Sequence, residues 1–473
     1  MGALIRLFHL LSYAAFRAGE GVIRLLPINA AFSIGGFGGS IAYRILWRRR
    51  ALALSNLRLA FGREMSQQQL EALNRKHFRR LGANLLAGLK ASTLDHKEIW
   101  QRVTANIPID RGNSGWIALI SHMGNWELYS HLGQRFPEYR FGAVYQTLAN
   151  PFTDHYVREI RGRAGITLFD RRTQLLSCVR FLREGGVVGV LVDQGAGYSG
   201  LWSPLFGRLT SSSTLAARLA LRTALPVVPI AINTCGKAQW KMIISPPIYP
   251  QTDDPEVLTA EINRQLEQQI RQSPADWLWA HNRWKPLRPH FLFARNVRPV
   301  FFPSDFDRSA LDHFRILIVS PLSREEAVAA IPAVRAIKEG RPDTWLGVLT
   351  PPELSEMWAD SGAIDSASPY EKTASVASIS STIRDAAQFD AAVFLGSHWK
   401  TALAVWLAGI PIRVGRRVDS NSWLYNQYPV EPSKHLDAVE TNLHIARSVG
   451  AADAITTSPF ESGERRNVVT VSG

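Results

Sequence analysis

Cysteine is the rarest residue in this chain, with only Cys178 and Cys235 among 473 residues. Two cysteines give no disulfide framework and no Cys/His spacing typical of a metal site. Internal repeats and low-complexity segments are also absent, which excludes solenoid and fibrous architectures. The scarcity of cysteine favours the reducing cytoplasm as the compartment. With 46% hydrophobic residues, the chain is long enough to bury two separate cores.

Acidic residues are scarce in the first part of the chain. Residues 1–300 contain 38 Lys+Arg and 19 Asp+Glu, whereas residues 301–473 contain 16 and 21, so that +19 and −5 combine to the net +14. Such asymmetry indicates different partners for the two parts. We expect the basic part to face an anionic membrane surface, where each basic residue gains about 1 kcal/mol. A solvated basic surface is the alternative, and we expect no nucleic acid partner.

Residues 1–50 have the composition of a membrane-associated helical segment. Residues 1–24 alternate apolar residues with spaced arginines, as interfacial helices do. A cleavable signal peptide is disfavoured because Arg17, Glu20 and Arg24 interrupt its apolar core. Residues 25–43 carry no charge, but Pro27 and a run of glycines weaken a helical span, so that a spanning and an interfacial segment both remain open.

A candidate catalytic motif follows a short apolar run, Ile117–Ile120, that we interpret as a buried strand. Residues 121–127 read SHMGNWE, and a helix is expected from Leu128. On one continuous helix, residues five apart lie about 140° apart. A bend at Gly124 would instead let Glu127 orient the His122 imidazole, which would serve as general base towards a substrate hydroxyl.

The motif has two alternative interpretations. His122 could merely cap the turn. Alternatively, Glu127 and His131 are four residues apart and, with His122, could bind a metal, but a further ligand and a paired motif are missing. The sequence therefore predicts neither a metal nor a cofactor.

The motif and its surroundings resemble the lauroyl/myristoyl acyltransferases of lipid A biosynthesis, over residues 5–290 or so. One departure is Gln146, which stands where many members have arginine, so that recognition of a substrate phosphate there is expected to be altered. The matching residues, in chain order, are the H-x4-E pair His122 and Glu127, Val144-Tyr145, Asn150-Pro151, Arg161, Leu191–Gln194, Pro204–Gly207, Thr210-Ser211, Leu266-Glu267, Ile270-Arg271, Pro274, Trp277–Trp279, His281 and Arg283–Lys285.

The resemblance implies an α/β acyltransferase domain over residues 51–290 at the cytoplasmic face of the inner membrane. It would move a fatty acyl chain from an acyl thioester, with acyl carrier protein as the donor, to a hydroxyl of a lipid A precursor. Another glycolipid or aminolipid acceptor is the alternative. The expected substrate-binding residues are Asn125, Tyr145, Arg161, Asp193 and Gln194.

Physical arguments accompany two of these residues. Arg161 suits a phosphate or phosphopantetheine anion, with a salt bridge to Asp193 as the competing possibility. Asp193 ends the apolar run Val187–Val192, which delivers its carboxylate to the carboxyl edge of a sheet. The tryptophans of the closing block are interpreted either as an interface belt or as core packing.

Residues 313–456 predict a smaller, Rossmann-like parallel α/β domain after a linker over residues 291–312, because strands and helices alternate there. The segments RILIVSPLSREEAVAAIPAVRAIKEGRPD and FDAAVFLGSHWKTALAVWLAGIPIRVG resemble the N-terminal half of heptosyltransferase-type glycosyltransferases of family 9.

Two departures qualify this second resemblance. Glu325-Glu326 replaces the family's Gly-Asp, and no second Rossmann domain is present before Gly473. We therefore expect a degenerate binding or docking module, with a bifunctional or anchored glycosyltransferase as the alternative. Residues 457–473 are polar and are expected to be a disordered tail.

Overall fold

The computed structural model describes residues 3–105, 114–197, 200–284, 300–341, 343–430 and 436–452. These residues form two compact units. The first contains the described residues up to 284 together with Phe301–Asp307, and the second contains Val300 and the described residues from Arg308 onwards. The predicted linker is thus divided, since Phe301–Asp307 returns to the first unit. Residues 291–299 of that linker and the predicted tail, 457–473, lie outside the described residues.

The first unit consists of helices around one large sheet. Its helices are α1 (Ala3–Arg24), α2 (Ile28–Ile45), α3 (Trp47–Phe61), α4 (Gln67–Ala91), α5 (His96–Trp100), α6 (Leu132–Arg135), α7 (Pro151–Arg163), α8 (Leu175–Arg183), α9 (Leu215–Thr223) and α10 (Pro255–Gln272). Its strands are β1 (Val103–Ala105), β2 (Trp116–Ile120), β3 (Phe141–Tyr145), β4 (Ile166–Asp170), β5 (Val187–Leu191), β6 (Leu201–Leu205), β7 (Arg208–Ser212), β8 (Val227–Gly236) and β9 (Gln239–Ile244).

Seven strands form the sheet in the order β1-β9-β8-β2-β5-β3-β4, and only the β8–β9 pair is antiparallel. β6 and β7 form a separate antiparallel pair. β2 is buried along its whole length, as the short apolar run predicted. Because β2 and β5 are parallel neighbours, the residues that follow them meet at the carboxyl edge of the sheet.

Local sequence signals start the helices that frame the site. Asn150 caps α7 by accepting the backbone N–H groups of Phe152 and Thr153, and Pro151 occupies the first turn. The Asn150 side chain also donates to the carbonyl of His9 in α1. The Asn-Pro pair therefore sets the start of the helix that carries Arg161.

The glycines of residues 25–43, which disfavour a transmembrane helix in the sequence, have a packing role in the structure. α2 runs unbroken from Ile28 because Pro27 precedes it at the N-cap, where its missing N–H costs nothing. Added Cβ atoms at Gly35 and Gly39 would lie 2.3 Å and 2.1 Å from backbone oxygens of α4. The glycines therefore allow α2 and α4 to approach backbone to backbone. Among the described helices, none combines the length and apolarity needed to cross a membrane.

Helices α1 and α2 expose an apolar surface instead. α1 has one buried acid, Glu20, which pairs with Arg17 and Arg24 and accepts a hydrogen bond from Tyr156. The remaining surface carries large uncovered side chains, namely Ile5, Leu7, Phe8, Leu10, Leu11, Val22, Ile34, Phe37, Ile41 and Ile45. Patches of this kind mark sites of interaction.

The second unit is a parallel α/β layer structure, as predicted. Its sheet has the order β12-β11-β10-β13-β14, with every pair parallel. The strands are β10 (Phe314–Val319), β11 (Thr344–Thr350), β12 (Ser366–Pro369), β13 (Ala391–Phe394) and β14 (Ile412–Val414), and the helices are α11 (Arg324–Gly340), α12 (Ser355–Asp360), α13 (Val376–Ala386), α14 (Trp399–Leu407) and α15 (Ala438–Arg447).

Candidate active site

His122 lies on a tight turn directly after β2. Gly124 has φ +55°, and a Cβ there would lie 2.1 Å from the carbonyl oxygen of Ile232. The turn therefore requires glycine for both conformation and space. The following residues, Trp126–His131, form a 3₁₀ helix, so that the predicted strand–turn–helix order is confirmed with a tighter helix than expected.

A segment from the closing block holds this turn from one side. The backbone N–H of Gly124 donates to the carbonyl of Asp276 at 3.0 Å, and the N–H of Leu278 donates to the carbonyl of His122 at 3.1 Å. Met123 and Trp277 form an antiparallel bridge between these bonds. The backbone position of His122 is therefore fixed by residues about 150 positions further along the chain.

Asp193 is the partner of the His122 ring. Its Oδ1 lies 2.9 Å from His122 Nδ1, and its Oδ2 accepts the backbone N–H of His122 at 2.8 Å and the indole N–H of Trp277 at 3.0 Å. Asp193 is 3% exposed and the His122 side chain 14%. With Nδ1 held by the carboxylate, Nε2 is the ring nitrogen left to accept a proton.

The orienting role that the sequence assigned to Glu127 therefore belongs to Asp193, and that expectation is corrected. Glu127 lies in the 3₁₀ helix, where its carboxylate accepts the indole N–H of Trp126 at 3.1 Å. Its other oxygen lies 3.6 Å from an Arg161 nitrogen. The convergence of neighbouring strand ends, rather than proximity in sequence, provides the partner of His122.

The electrostatics of the pair favour a basic imidazole. Burial lowers the pKa of His122, but the charge and hydrogen bond of Asp193 outweigh it, so that the pKa of His122 lies above its usual value. The Glu127 charge raises it further, and Arg161 opposes this. Burial raises the pKa of Asp193, but the His122 and Trp277 contacts outweigh that effect and keep it below its usual value.

Arg161 faces the same opening as Glu127. Its guanidinium lies 5.6 Å from the ring centre of Tyr145, and the described residues contain no Arg161–Asp193 ion pair, so the competing salt bridge forms with Glu127 instead. The Tyr145 hydroxyl donates to Asp154 at 2.7 Å. At 3.6 Å the Arg161–Glu127 contact is long, which leaves the guanidinium available to another anion.

The remaining predicted site residues differ in their accessibility. Gln194 is exposed next to Asp193. Asn125 is 2% exposed, and a Cβ on Gly88 of α4 would lie 2.9 Å from its Oδ1, so that this amide lies beneath the turn. Within the described residues, the Asn125 amide has no hydrogen-bond partner. Its predicted contact with substrate stays a prediction.

A buried polar network around Asp276 supports the turn. The carboxylate of Asp276 accepts hydrogen bonds from Arg80 of α4 at 3.0 Å and from the hydroxyl and N–H of Thr234 in β8. Asn84 of α4 also donates to Thr234. This network ties α4 and β8 to the segment that holds His122, and nothing in the local sequence pattern signals it.

Two motif blocks meet at Arg283, which is 2% exposed. Its guanidinium donates to the hydroxyls of Thr210 and Ser212 and to the carbonyl of Ser211. Burial lowers the pKa of Arg283 to about 10, while the charge of Asp193 opposes the shift. The tryptophans of the closing block are core residues rather than an interface belt: Trp277, Trp279 and Trp284 are 1%, 0% and 8% exposed.

A mainly apolar pocket of about 90 Å³, called the apolar channel below, lies against the sheet beside this site. Its floor is a row of three small residues in register on neighbouring strands, Ala118, Gly189 and Ala143. The next row towards the amino ends of the strands is bulky and buried, with Val187 paired to Phe141. Glu127 and Arg161, whose side chains are 42% and 28% exposed, form its polar mouth. The channel is therefore bounded below by buried side chains and open at a charged end.

No group of three or more acidic, histidine or cysteine side chains among the described residues is arranged to bind a metal ion. The site thus consists of one His–Asp pair, one Arg–Glu pair and an apolar channel. Such a set can remove a proton from a hydroxyl and stabilise the resulting imidazolium.

Comparisons with known proteins identify the family of the chain. The bacterial lipid A biosynthesis acyltransferase family matches residues 6–286, and the chain belongs to this family. The lipid A biosynthesis lauroyltransferase of Escherichia coli K12 is 28% identical over 295 residues, which cover 59% of this chain and 93% of that protein. The palmitoleoyltransferase of the same organism is 25% identical over 281 residues, covering 56% and 90%. The protein is therefore an acyltransferase of lipid A biosynthesis.

Solved structures resemble the chain only in part. ADP-heptose LPS heptosyltransferase II of Escherichia coli matches at 21% identity with a TM-score of 0.25, over 33% of this chain and 47% of that one. A family 9 glycosyl transferase of Veillonella parvula matches at 16% identity with a TM-score of 0.28, over 31% and 44%. The chain spans about half the length of the solved glycosyltransferases it matches.

A crevice of about 670 Å³ lies within the second unit. Ser320 and His398, which follow β10 and β13, line it. From the neighbouring strands β10 and β13, the chain adds β11 and β12 on one side of the sheet and β14 on the other. Open α/β sheets form ligand-binding crevices at the carboxyl ends of two strands at such a switch point. Glu326, which replaces the expected aspartate, also lines the crevice and accepts a hydrogen bond from Ser323.

Proposed function

We propose that the protein transfers a fatty acyl chain from an acyl thioester of acyl carrier protein to a hydroxyl of a lipid A precursor, with His122 as the general base. The observation that carries the proposal is the His122–Asp193 pair at the carboxyl edge of the sheet, beside the apolar channel. A covalent acyl-enzyme is not part of the proposal, because the acceptor hydroxyl is itself the nucleophile.

In the proposed reaction, Nε2 of His122 removes the proton of the acceptor hydroxyl as its oxygen attacks the thioester carbonyl. The imidazolium is stabilised by the Asp193 carboxylate, which keeps the ring in the productive tautomer. Collapse of the tetrahedral intermediate breaks the carbon–sulfur bond, and the thiolate leaves with the proton from His122. The ester oxygen thus comes from the acceptor, and the base is regenerated.

The channel and its mouth suit the two ends of the donor. The small-residue row would contact one part of the acyl chain, since the volume of about 90 Å³ is too small for the whole chain, and the bulky row beneath bounds that contact. Arg161 at the mouth is suited to the phosphate of a phosphopantetheine arm or of the acceptor. The basic first part of the chain favours an acidic carrier as donor through electrostatic steering.

We place the enzyme at the cytoplasmic face of the inner membrane. The exposed apolar side chains of α1 and α2 support this proposal, since they provide a surface that would be buried in a lipid interface. Basic residues on the same helices, such as Arg6 and Arg44, would add attraction to anionic lipid.

The test is acyl transfer by the purified full chain in detergent, with acyl carrier protein charged with fatty acids of different length and a lipid A precursor as acceptor. We expect wild-type protein to form the acylated lipid, and His122→Ala to lower kcat by about 10²–10⁴ without loss of fold. Transfer by His122→Ala within a few-fold of wild type would contradict the assignment. Reaction only with a non-saccharide acceptor would favour the alternative aminolipid.

A further inference from the structure

We propose that a basic groove in the first unit binds the phosphate group of a membrane lipid. This phosphate groove has a volume of about 410 Å³ and lies between α2, α4 and the turn that joins β8 to β9. One wall carries Lys76, Arg79 and Arg80 of α4, and Lys237 comes from the turn. The opposite wall is α2, with Phe32 and Ser33 among its lining residues.

The positive charge of the groove is largely uncompensated. Arg80 pairs with the buried carboxylate of Asp276. Lys76, Arg79 and Lys237 are exposed, and no carboxylate of the described residues forms an ion pair with any of them. The lining itself contains no acidic side chain. Three free cations in a concave site favour an anion of high charge, and a phosphate accepts both lysine point charges and the arginine fork.

The apolar surroundings identify the anion as a lipid headgroup. Ser33 and Gly36 of α2 line the groove, whereas Ile34, Phe37 and Ile41 of the same helix are exposed. A lipid with its phosphate in the groove therefore has apolar surface beside it for its chains. A soluble phosphate compound would leave that surface in water and would gain nothing from burying it, whereas a lipid gains free energy in proportion to the apolar area that it covers.

A chain of hydrogen bonds connects the groove to the catalytic turn. Thr234 lines the groove and donates to the Asp276 carboxylate, and the Asp276 carbonyl accepts the N–H of Gly124, two residues after His122. If the bound lipid is the phosphorylated acceptor, the groove holds it against the hydrogen-bond network that supports the catalytic turn. In this respect the inference rests on the proposed function, whereas phosphate-lipid binding itself does not require any acyl transfer.

Cys235 provides a direct reporter of occupancy. It lines the groove and is exposed, whereas Cys178 is fully buried. The rate of alkylation of the full chain by a thiol reagent is measured with phosphatidylcholine vesicles, with the same vesicles containing a minority of phosphatidic acid, and with inorganic phosphate alone. We expect phosphatidic acid to slow alkylation of Cys235 at least several-fold, and the other two to leave it unchanged.

Two matched variants distinguish binding in the groove from nonspecific attraction of the basic surface to anionic lipid. Lys76→Gln/Arg79→Gln/Lys237→Gln should lower partitioning to the phosphatidic acid vesicles by on the order of 100-fold at low salt and abolish protection. The control changes three exposed cations elsewhere in the unit to glutamine, at Lys97, Arg135 and Arg222. It removes the same charge but should retain protection. Unchanged melting temperatures would show that both variants are folded.

Three results would overturn the proposal. Equal losses of vesicle partitioning and of Cys235 protection in the groove and control variants would show that nonspecific attraction to the basic surface accounts for binding. Protection by inorganic phosphate at the same phosphate concentration would mean a soluble ligand rather than a lipid. Protection by acyl carrier protein but not by phosphatidic acid would assign the groove to an acidic protein. None of these bears on His122, so failure here and failure of the proposed chemistry are distinguishable, because His122→Ala should bind lipid normally and not react.

Discussion

Asp193→Asn changes the carboxylate that holds the His122 ring into an amide of the same shape. In the wild type, Oδ2 accepts two N–H donors, the His122 backbone and the Trp277 indole, while Oδ1 faces His122 Nδ1. An asparagine must place its oxygen towards these two N–H groups. In the opposite orientation, its NH₂ group would face the His122 backbone N–H and the Trp277 indole N–H, and these three donor groups would have no acceptor. Its NH₂ group then donates to Nδ1 of the histidine.

The substitution keeps the contact between residue 193 and the His122 ring but selects the wrong tautomer of that ring. When Nδ1 accepts a hydrogen bond, the proton lies on Nε2, which then cannot take a proton from the acceptor hydroxyl. The lost charge adds to this effect, because at 2.9 Å and an effective dielectric constant of about 20 the ion pair is worth at most about 6 kcal/mol. We expect kcat to fall by about 10²–10⁴, that is about 3–5 kcal/mol, as for removal of the base itself.

The assay is single-turnover acyl transfer over a range of pH, together with the melting temperature and nitrogen NMR of the His122 ring. The three hydrogen bonds persist in the variant, so we expect it to fold, with Nε2 protonated and activity low even at high pH. Glu20→Gln is the matched control, since it removes another buried, paired carboxylate of the same unit. Asp193→Asn activity within a few-fold of wild type, with an unchanged tautomer, would refute this reasoning.

Four further predictions follow from the same geometry. Wild-type kcat should rise as pH increases through the raised pKa of His122, and Glu127→Gln should move that rise to lower pH, because the Glu127 charge is removed. Ala143→Leu, in the channel floor, should shift preference to a shorter acyl chain by about tenfold in kcat/KM, measured with carriers of different chain length. His77 is fully buried, and burial lowers its pKa from 6.5 to about 4. Because the unfolded chain then binds a proton that the folded protein does not, the free energy of unfolding should fall by about 3 kcal/mol as the pH drops from 6.5 to 4. Urea denaturation at several pH values should show this decrease for the wild type and not for His77→Gln. A chain shortened after Asp307 should retain acyl transfer and melt higher than one shortened after residue 289, because Phe301 and Asp305 bond to Trp202 and Arg264.

Much of the framework could be predicted from sequence because it is local. The apolar run before His122, the glycine in the turn and the run that ends at Asp193 each indicate structure within a few residues. The second unit is similar, since the alternation of strands and helices that the sequence predicts begins at Phe314–Val319 and continues with Thr344–Thr350. The packing role of the glycine-rich segment could not be predicted, because its glycines serve contact with α4, which no local pattern reveals.

The partner of His122 illustrates the limit of local reasoning. The sequence predicts Glu127 as the partner because it is only five residues from His122. In the structure, the 3₁₀ helix directs the Glu127 carboxylate towards Trp126 and Arg161 instead. Asp193 is 71 residues away and reaches the ring because β2 and β5 are adjacent, with Ile120 paired to Leu191. Strand order was the missing information, since the same sequence with another strand between them would have separated the two side chains by about 5 Å more. Trp277 is placed instead by the bridge between the closing block and Met123, and its indole N–H occupies the Asp193 oxygen that does not face the ring. The chemistry of this site is therefore set by sheet topology, and the H-x4-E spacing positions the second acid at the mouth of the channel.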